Sequence, residues 1–221
     1  MNGRRQPGWG DVAGKYESWY RTPQGRKYDA LEKELLSALM EPAGDRRLLE
    51  IGCGTGHFTR WFRALGWRTW GLDREPGMLA WAAERSPRSI IYCRGDAEQL
   101  PFADGSFDVC ALITTLESTG RPRQVLREAL RVSRRGVLLG VLNAVSVLAL
   151  RRRVRALLRP TIFSRTRFYS GPQILALIRR AVREMSLTAS IRFASRNRCL
   201  FERLPRGAFF AVWVEREKRV V

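Results

Sequence analysis

The sequence predicts an α/β domain: a mostly parallel sheet of seven strands, helices on both faces, and a C-terminal antiparallel hairpin. Three observations predict it. Short apolar, β-branched runs alternate with helix-length segments from residue 47 to residue 141. Two further strand patterns follow in the last 40 residues, one half-apolar and one apolar throughout. The chain has 221 residues, 45% of them apolar, which suits one full-sized domain with a sizeable core.

The elements follow in order. The first ~45 residues read as helical, since Tyr28, Leu31, Leu35 and Leu39 recur at helical spacing and Gly44 follows them. Arg47–Ile51 is the first strand, and the helix after it begins near His57. Arg68–Leu72 is the second strand, and Glu75–Arg85 reads as a helix. Ser89–Cys93 and Phe107–Ile113 are the third and fourth strands. Pro122 opens a helix through Val132, proline being favoured in the first helical turn. Gly136–Val141 is the fifth strand. Ser170-Gly171-Pro172 starts a helix whose apolar side is Ile174, Leu175, Leu177, Ile178 and Val182. Met185–Ala194 alternates apolar and polar residues, as an edge strand with one buried face does. Ala208–Val214 is apolar throughout, which places it inside the sheet with Met185–Ala194 outside it.

Composition excludes several classes. Four cysteines without a CxxC, and one histidine, make a disulfide scaffold or a structural zinc site a poor reading. No metal is expected. The N-terminal MNGRRQPGWGD has charges but no apolar core after them, so no signal peptide is expected. Gly136–Leu150 is apolar over 15 residues, short of the roughly 18–20 that span a bilayer, and reads as a strand running into a helix. A reduced, cytoplasmic protein is the expectation. The net charge of +19 lies entirely in 121–221, with 24 basic and 5 acidic residues, whereas 1–120 holds 16 of each. Of the 40 basic residues 36 are Arg, which points to codon usage as a contributor beside any anionic partner.

The chemistry lies after the first strand. Glu50-Ile51-Gly52-Cys53-Gly54-Thr55-Gly56 joins a strand to a helix, where glycines permit a sharp turn and close backbone approach to a ligand. Asp73 ends the second strand 21 residues after Gly52, where a carboxylate can accept from both hydroxyls of a ribose. The GxGxG spacing leans away from a dinucleotide. After the third strand come Gly95-Asp96-Ala97-Glu98-Gln99-Leu100-Pro101-Phe102 and Ser106-Phe107-Asp108-Val109. With LLEIGCGTG, GLD, GDAEQLPF and SFDVCALITTLE in order, the sequence resembles the class I S-adenosylmethionine-dependent methyltransferases, in particular the type-11-like branch with the ubiquinone and menaquinone biosynthesis enzymes. The resemblance is strong over Leu48–Gly140 and weaker outside it.

The resemblance implies a Rossmann-like fold with S-adenosyl-L-methionine as cofactor. It implies one methyltransferase domain over 1–221: a helical cap at 1–45, a cofactor-binding core at 46–143, and a basic acceptor-side segment with the hairpin at 144–221. Gly52, Cys53, Gly54 and Gly56 would line the cofactor and Glu50 would order their loop. Asp73 would hold the ribose, Asp96 and Ala97 the adenine amine, and Met78 would pack near the adenine. Thr114 would face the methionine end. Tyr16 and Tyr20 resemble an aromatic segment that closes over the site, or else pack on the sheet.

No convincing general base emerges. Glu117 and Tyr20 are weak candidates, and His57 reads as a helix-start residue. A sulfonium methyl group is already activated, so the expectation is a mechanism that positions the acceptor. A small-molecule acceptor ranks first. The Arg-rich half also allows an anionic membrane surface with a lipid or quinone acceptor, or RNA phosphates, through Leu150–Pro160 where Arg151, Arg155 and Arg159 share a helical face. A cofactor-binding partner subunit without transfer activity, and an NAD-dependent oxidoreductase, are the readings from other classes.

Overall fold

A computed structural model describes residues 13–146, 166–195 and 208–217. Two helices open the described chain, α1 (Ala13–Trp19) and α2 (Pro23–Ser37). The expected single helical stretch breaks at residues 20–22 because Thr22 caps α2: its Oγ1 accepts from the Gly25 amide at 2.9 Å, and Pro23 follows in the first turn. The alternating part then runs β1 (Arg47–Ile51), α3 (His57–Ala64), β2 (Arg68–Asp73), α4 (Pro76–Glu84), β3 (Ile91–Arg94), β4 (Phe107–Ile113), α5 (Pro122–Val132) and β5 (Ser133–Leu142). The C-terminal part holds α6 (Gly171–Glu184), β6 (Ala189–Ala194) and β7 (Phe209–Arg216).

The seven strands form one sheet in the order β3-β2-β1-β4-β5-β7-β6. The first five are parallel, and β7 lies antiparallel between β5 and β6. The apolar-throughout strand is therefore the inserted one and the alternating strand is the edge. Ser190 and Arg192 are exposed on β6, whereas Phe209–Val214 are buried. The turn that would close this hairpin, and the Leu150–Pro160 segment, lie outside the described residues.

Side-chain alternation divides the core between the two faces. Leu49, Ile51, Cys110, Leu112, Val137, Leu139 and Val212 face α5 and α6, meeting Val125, Leu126, Ile174 and Ile178. Leu48, Val109, Ala111, Leu138 and Ala211 face the opposite way, meeting Leu35, Leu36, Phe58 and Phe62 of α2 and α3.

Three boundaries differ from the sequence reading. β3 starts at Ile91 rather than Ser89, because the Ile90 amide closes a turn on the Pro87 carbonyl (3.0 Å). β5 reaches back to Ser133, past a register irregularity between Phe107 and Val109. β6 starts at Ala189 rather than Met185. Met185 instead caps α6, Ser186 takes a left-handed φ of 51°, and the Leu187 amide bonds the Val182 carbonyl at 3.1 Å. The polarity alternation of 185–188 thus belongs to a helix end and a turn.

The β5–β7 contact gives a sharp test. A Cβ on Gly136 would stand 2.3 Å from the Val214 carbonyl oxygen, a backbone atom that cannot swing aside. Gly136→Ala is expected to lower the unfolding free energy by about 1–3 kcal/mol in urea titration, as overpacking does. Unchanged stability would show that β5 and β7 are not this close.

Candidate active site

The sheet order reverses between β1 and β4, and strand ends that part at such a point leave a crevice. A cleft of about 1210 Å³, including its open mouth, runs along the C-terminal ends of the parallel strands. Strand order lays its residues out in sequence: Asp96 after β3, Asp73 at the end of β2, Gly52 and Gly54 after β1, Thr114 after β4 and Leu142 at the end of β5. Tyr16 and Tyr20 border it from the first helix and the turn that follows.

The glycine loop is folded back onto β2. The Gly52 and Cys53 amides both donate to the Leu72 carbonyl, at 2.7 and 3.0 Å. Asp73 Oδ2 accepts from the Gly54 amide (2.8 Å) and Oδ1 from the Glu75 amide (2.9 Å). Gly52 has φ 72°, and a Cβ there would lie 2.4 Å from Thr115 Cγ2, so the turn and the contact both require glycine. Cys53 lines the cleft with a thiol that burial pushes well up. Gly56 differs from its expected place. It lies beneath the cleft, not on its wall, where a Cβ would meet the Tyr92 hydroxyl at 2.3 Å.

Glu50 is buried at the cleft floor, accepting from the Thr59 hydroxyl. Burial pushes its carboxyl up to about 8, and the neighbouring Asp73 charge adds to that rise. Asp73 is raised too, mainly by burial. At the β3 end Asp96 accepts from the Glu98 amide (2.8 Å) in a turn, with no helix to cap, and Ala97 and the buried Met78 share the wall with it.

At the β4 end Thr114 has φ 52°, a strained conformation for a β-branched residue, pinned by its amide bond to the Gly140 carbonyl (2.8 Å). The Tyr16 hydroxyl bonds Thr114 and stands 3.3 Å from the Tyr20 hydroxyl. Burial raises both phenols, Tyr20 well above the ordinary value, so both keep their protons at neutral pH.

Two polar clusters that sequence reasoning missed fasten this cap. Glu17 of α1 accepts from the Thr55 hydroxyl and the Arg60 guanidinium, both at 2.6 Å. His57 Nε2 donates to Asp29 Oδ1 at 2.7 Å, and Lys33 bonds Asp29 Oδ2 at 2.7 Å. The Tyr20 ring stacks on the His57 ring, centroids 3.7 Å apart and planes within 8°. His57 is thus a cleft residue as well as the start of α3. The Asp29/Lys33 spacing marked one helix face, but nothing in the sequence joined it to His57.

Glu117 lies elsewhere. It is buried behind the acceptor-side wall, off the cleft, with Oε1 accepting from the Leu142 amide (2.7 Å) and Oε2 without a partner. Burial pushes this carboxyl up to about 7. A carboxyl that does not reach the cleft cannot take an acceptor proton directly, so this position fixes the wall instead.

Among the described residues, five carboxyl groups line the cleft (Glu50, Asp73, Glu75, Asp96 and Glu98) against one guanidinium, Arg74. The cleft is acidic inside a chain of net charge +19. Such a site suits a nucleoside whose far end carries positive charge. S-adenosylmethionine, with a sulfonium and an ammonium against one carboxylate, has that character.

Fold and site together define an α/β domain with a cleft at the ends of its parallel strands. Residues 49–141 match the family model described as a methyltransferase domain. The chain is 37% identical over 103 residues to the malonyl-[acyl-carrier protein] O-methyltransferase of Pectobacterium atrosepticum, covering 47% of this chain and 40% of that protein. It is 33% identical over 129 residues to the demethylmenaquinone methyltransferase of Renibacterium salmoninarum, covering 57% and 52%. The matches thus span about half or less of these curated relatives. Among solved structures, an S-adenosylmethionine-dependent methyltransferase of Thermotoga maritima has the same fold, with TM-score 0.74, 23% identity, and 95% and 98% of the two chains covered.

The two buried glutamates predict a pH dependence. Glu50 and Glu117 bind protons more tightly folded than unfolded, their values rising from 4.5 to about 8 and about 7. A carboxyl raised in the folded state contributes most to stability at low pH and loses that contribution as pH rises through its folded value. Stability of the ligand-free protein should therefore decline from pH 5 to 8, by up to about 1.4 kcal/mol per pH unit for each group. Urea titrations across that range check it. Glu117→Gln should flatten the slope between pH 5 and 7, and an unaltered slope would contradict its burial as a carboxyl.

Proposed function

We propose that the chain transfers the methyl group of S-adenosylmethionine to a small-molecule acceptor. The observation that carries this reading is the single cleft in which strand order places Asp96, Asp73, the glycine loop and Thr114 side by side. Asp96 and Ala97 would hold the adenine amine, with Met78 against the ring. Asp73 has lone pairs left for both ribose hydroxyls after its two amide bonds. Gly52 and Gly54 allow the backbone to approach the methionine portion, and Glu50, bonded to the Thr59 hydroxyl, supports the loop from the cleft floor. Tyr16, Tyr20 and Thr114 close the end at which the methyl group would lie.

The cofactor supplies an activated methyl group, so the protein's task is to hold an acceptor atom in line with it and exclude water. The wall beyond Thr114, made by Thr115, Ser118–Gly120, Leu142 and Thr166, is the room for that acceptor. The named relatives act on malonyl-[acyl-carrier protein] and on demethylmenaquinone, and a small acceptor group is common to both readings.

Isothermal calorimetry with S-adenosylhomocysteine tests the cofactor assignment. Asp73→Ala is expected to weaken binding at least about tenfold, or about 1.4 kcal/mol, with the melting temperature recorded to exclude unfolding. Equal affinity in the variant would refute the ribose role. Incubating methyl-labelled cofactor with a host extract and identifying the labelled product would then name the acceptor.

A further inference from the structure

We propose that His57 is a catalytic base of this site, held in its working tautomer by Asp29, and that it takes the acceptor's proton as the methyl group is transferred. This rests on the methyltransferase reading above. The acceptor class it implies carries a removable proton on oxygen, sulfur, nitrogen or an enolisable carbon.

The argument starts from the cluster. His57 is the only histidine in the chain and its ring borders the cleft. Nε2 lies 2.7 Å from Asp29 Oδ1, and Lys33 stands 2.7 Å from Asp29 Oδ2 and 3.3 Å from Nε2. Burial acts to raise the Asp29 carboxyl, but the bonds from His57 and Lys33 outweigh it and hold it below its ordinary value. An ionised carboxylate only accepts, so the 2.7 Å contact with Oδ1 requires a hydrogen on the imidazole nitrogen, and the Lys33 ammonium, a donor only, bonds Asp29 Oδ2 instead of Nε2. Nε2 therefore carries the hydrogen, and the lone pair of the neutral ring is on Nδ1. A base oriented by a carboxylate through its other nitrogen is the arrangement that general-base catalysis requires.

The ring is also fixed in place. Tyr20 stacks flat against it, and the Phe58 ring meets it edge-on at 5.2 Å. Tyr20 reaches the Tyr16 hydroxyl, and Tyr16 reaches Thr114, so the imidazole belongs to the end of the cleft opposite Asp96. The charged and titratable groups in contact with it are Tyr20, Asp29 and Lys33, all from the cap.

The other side chains near this end are unsuited to the task. Burial keeps the phenols of Tyr16 and Tyr20 and the thiol of Cys53 protonated at neutral pH. Glu117 is behind the wall. Glu50, raised to about 8, is engaged at the floor by the Thr59 hydroxyl, and imidazole is the side chain whose ordinary proton exchange falls in the neutral range.

The step balances. The acceptor's proton passes to Nδ1, and the acceptor's lone pair forms the bond to the methyl carbon. The electrons of the broken S–C bond stay on sulfur, leaving a neutral thioether, and the imidazolium then releases its proton to solvent.

One histidine makes the test clean. In untagged, ¹⁵N-labelled protein with S-adenosylhomocysteine, the imidazole should show the Nε2-protonated tautomer when neutral. The same spectra give the midpoint at which the ring takes its second proton, and Asp29→Asn should reduce the share of the Nε2-protonated form. With methyl-labelled S-adenosylmethionine and the small-molecule fraction of a host extract, the wild-type rate should fall as pH drops through that midpoint. His57→Gln should lose about 10²–10³-fold in rate and lose that pH limb, while binding S-adenosylhomocysteine within about threefold of wild type. An Nδ1-protonated tautomer overturns the proposal, with or without turnover in the extract. So does a His57→Gln variant that keeps both rate and pH limb. If the wild type does not bind S-adenosylhomocysteine at all, the methyltransferase reading falls, and the base with it.

Discussion

The cleft depends on the hydrogen bonds that fold the glycine loop back onto β2. Leu72 offers one carbonyl to two consecutive loop amides, and Asp73 offers a carboxylate oxygen to a third. With Gly52 in the left-handed region, the chain leaves β1, turns, and enters α3 within a few residues. Everything that approaches the site is built on that turn. Thr55, within it, receives Glu17 of the cap; Thr115 fills the space a side chain on Gly52 would need; His57 begins the helix it feeds. Asp73 is thus part of the scaffold as well as of the cleft lining. Its two amide bonds fix its oxygens at the strand end, and a fixed acceptor loses less freedom on binding a ribose than a solvated one would.

Charge is arranged on the same plan. The three glutamates and two aspartates among the described cleft residues come from the half of the sequence with no net charge, and the excess of arginine comes from the other half. Arginine still enters the fold in places. Arg131 binds Glu128 and Asp104 and also donates to the Leu100 and Phe102 carbonyls, holding the loop after β3 against α5. Arg216 donates to the Leu130 and Ser133 carbonyls where α5 passes into β5. These guanidiniums satisfy backbone carbonyls at element ends, a use for which five planar donors suit them. Arginine abundance in this half therefore has a structural share, separate from any anionic partner.

The fold was legible because burial writes itself into residue polarity. Ala208–Val214, without a polar residue, could only be covered on both faces, and that alone placed it between β5 and β6. The order of glycines, Asp73 and Asp96 was legible because each sits at a strand end that apolar runs announce. What polarity could not show was where alternation is accidental. Met185 to Thr188 alternates like a strand but ends a helix, since Ser186 breaks the chain direction with a left-handed residue that no composition rule demands. Gly56 read as a cofactor glycine, yet its constraint is the Tyr92 hydroxyl beneath it. Glu117 read as a site carboxyl because it follows β4, but the short 3₁₀ turn at Leu116–Ser118 carries it behind the wall. Contacts between elements 28 residues apart, such as Asp29 with His57, leave no local trace at all.

The cap and the core meet along a seam of polar contacts that borders the cleft. The core alone supplies a cofactor cleft with carboxylates and glycines. Within the core, burial leaves Cys53 protonated and raises the Glu50 carboxyl to about 8, and Glu117 does not line the cleft. The cap supplies the two phenols, the carboxylate that orients His57, and the glutamate that ties α1 to Thr55 and Arg60. Asp29 reaches His57 from α2, and Glu17 reaches Thr55 and Arg60 from α1, so the two cap helices are fastened to α3 and its loop by separate polar contacts, whereas the glycine loop itself is held by β2.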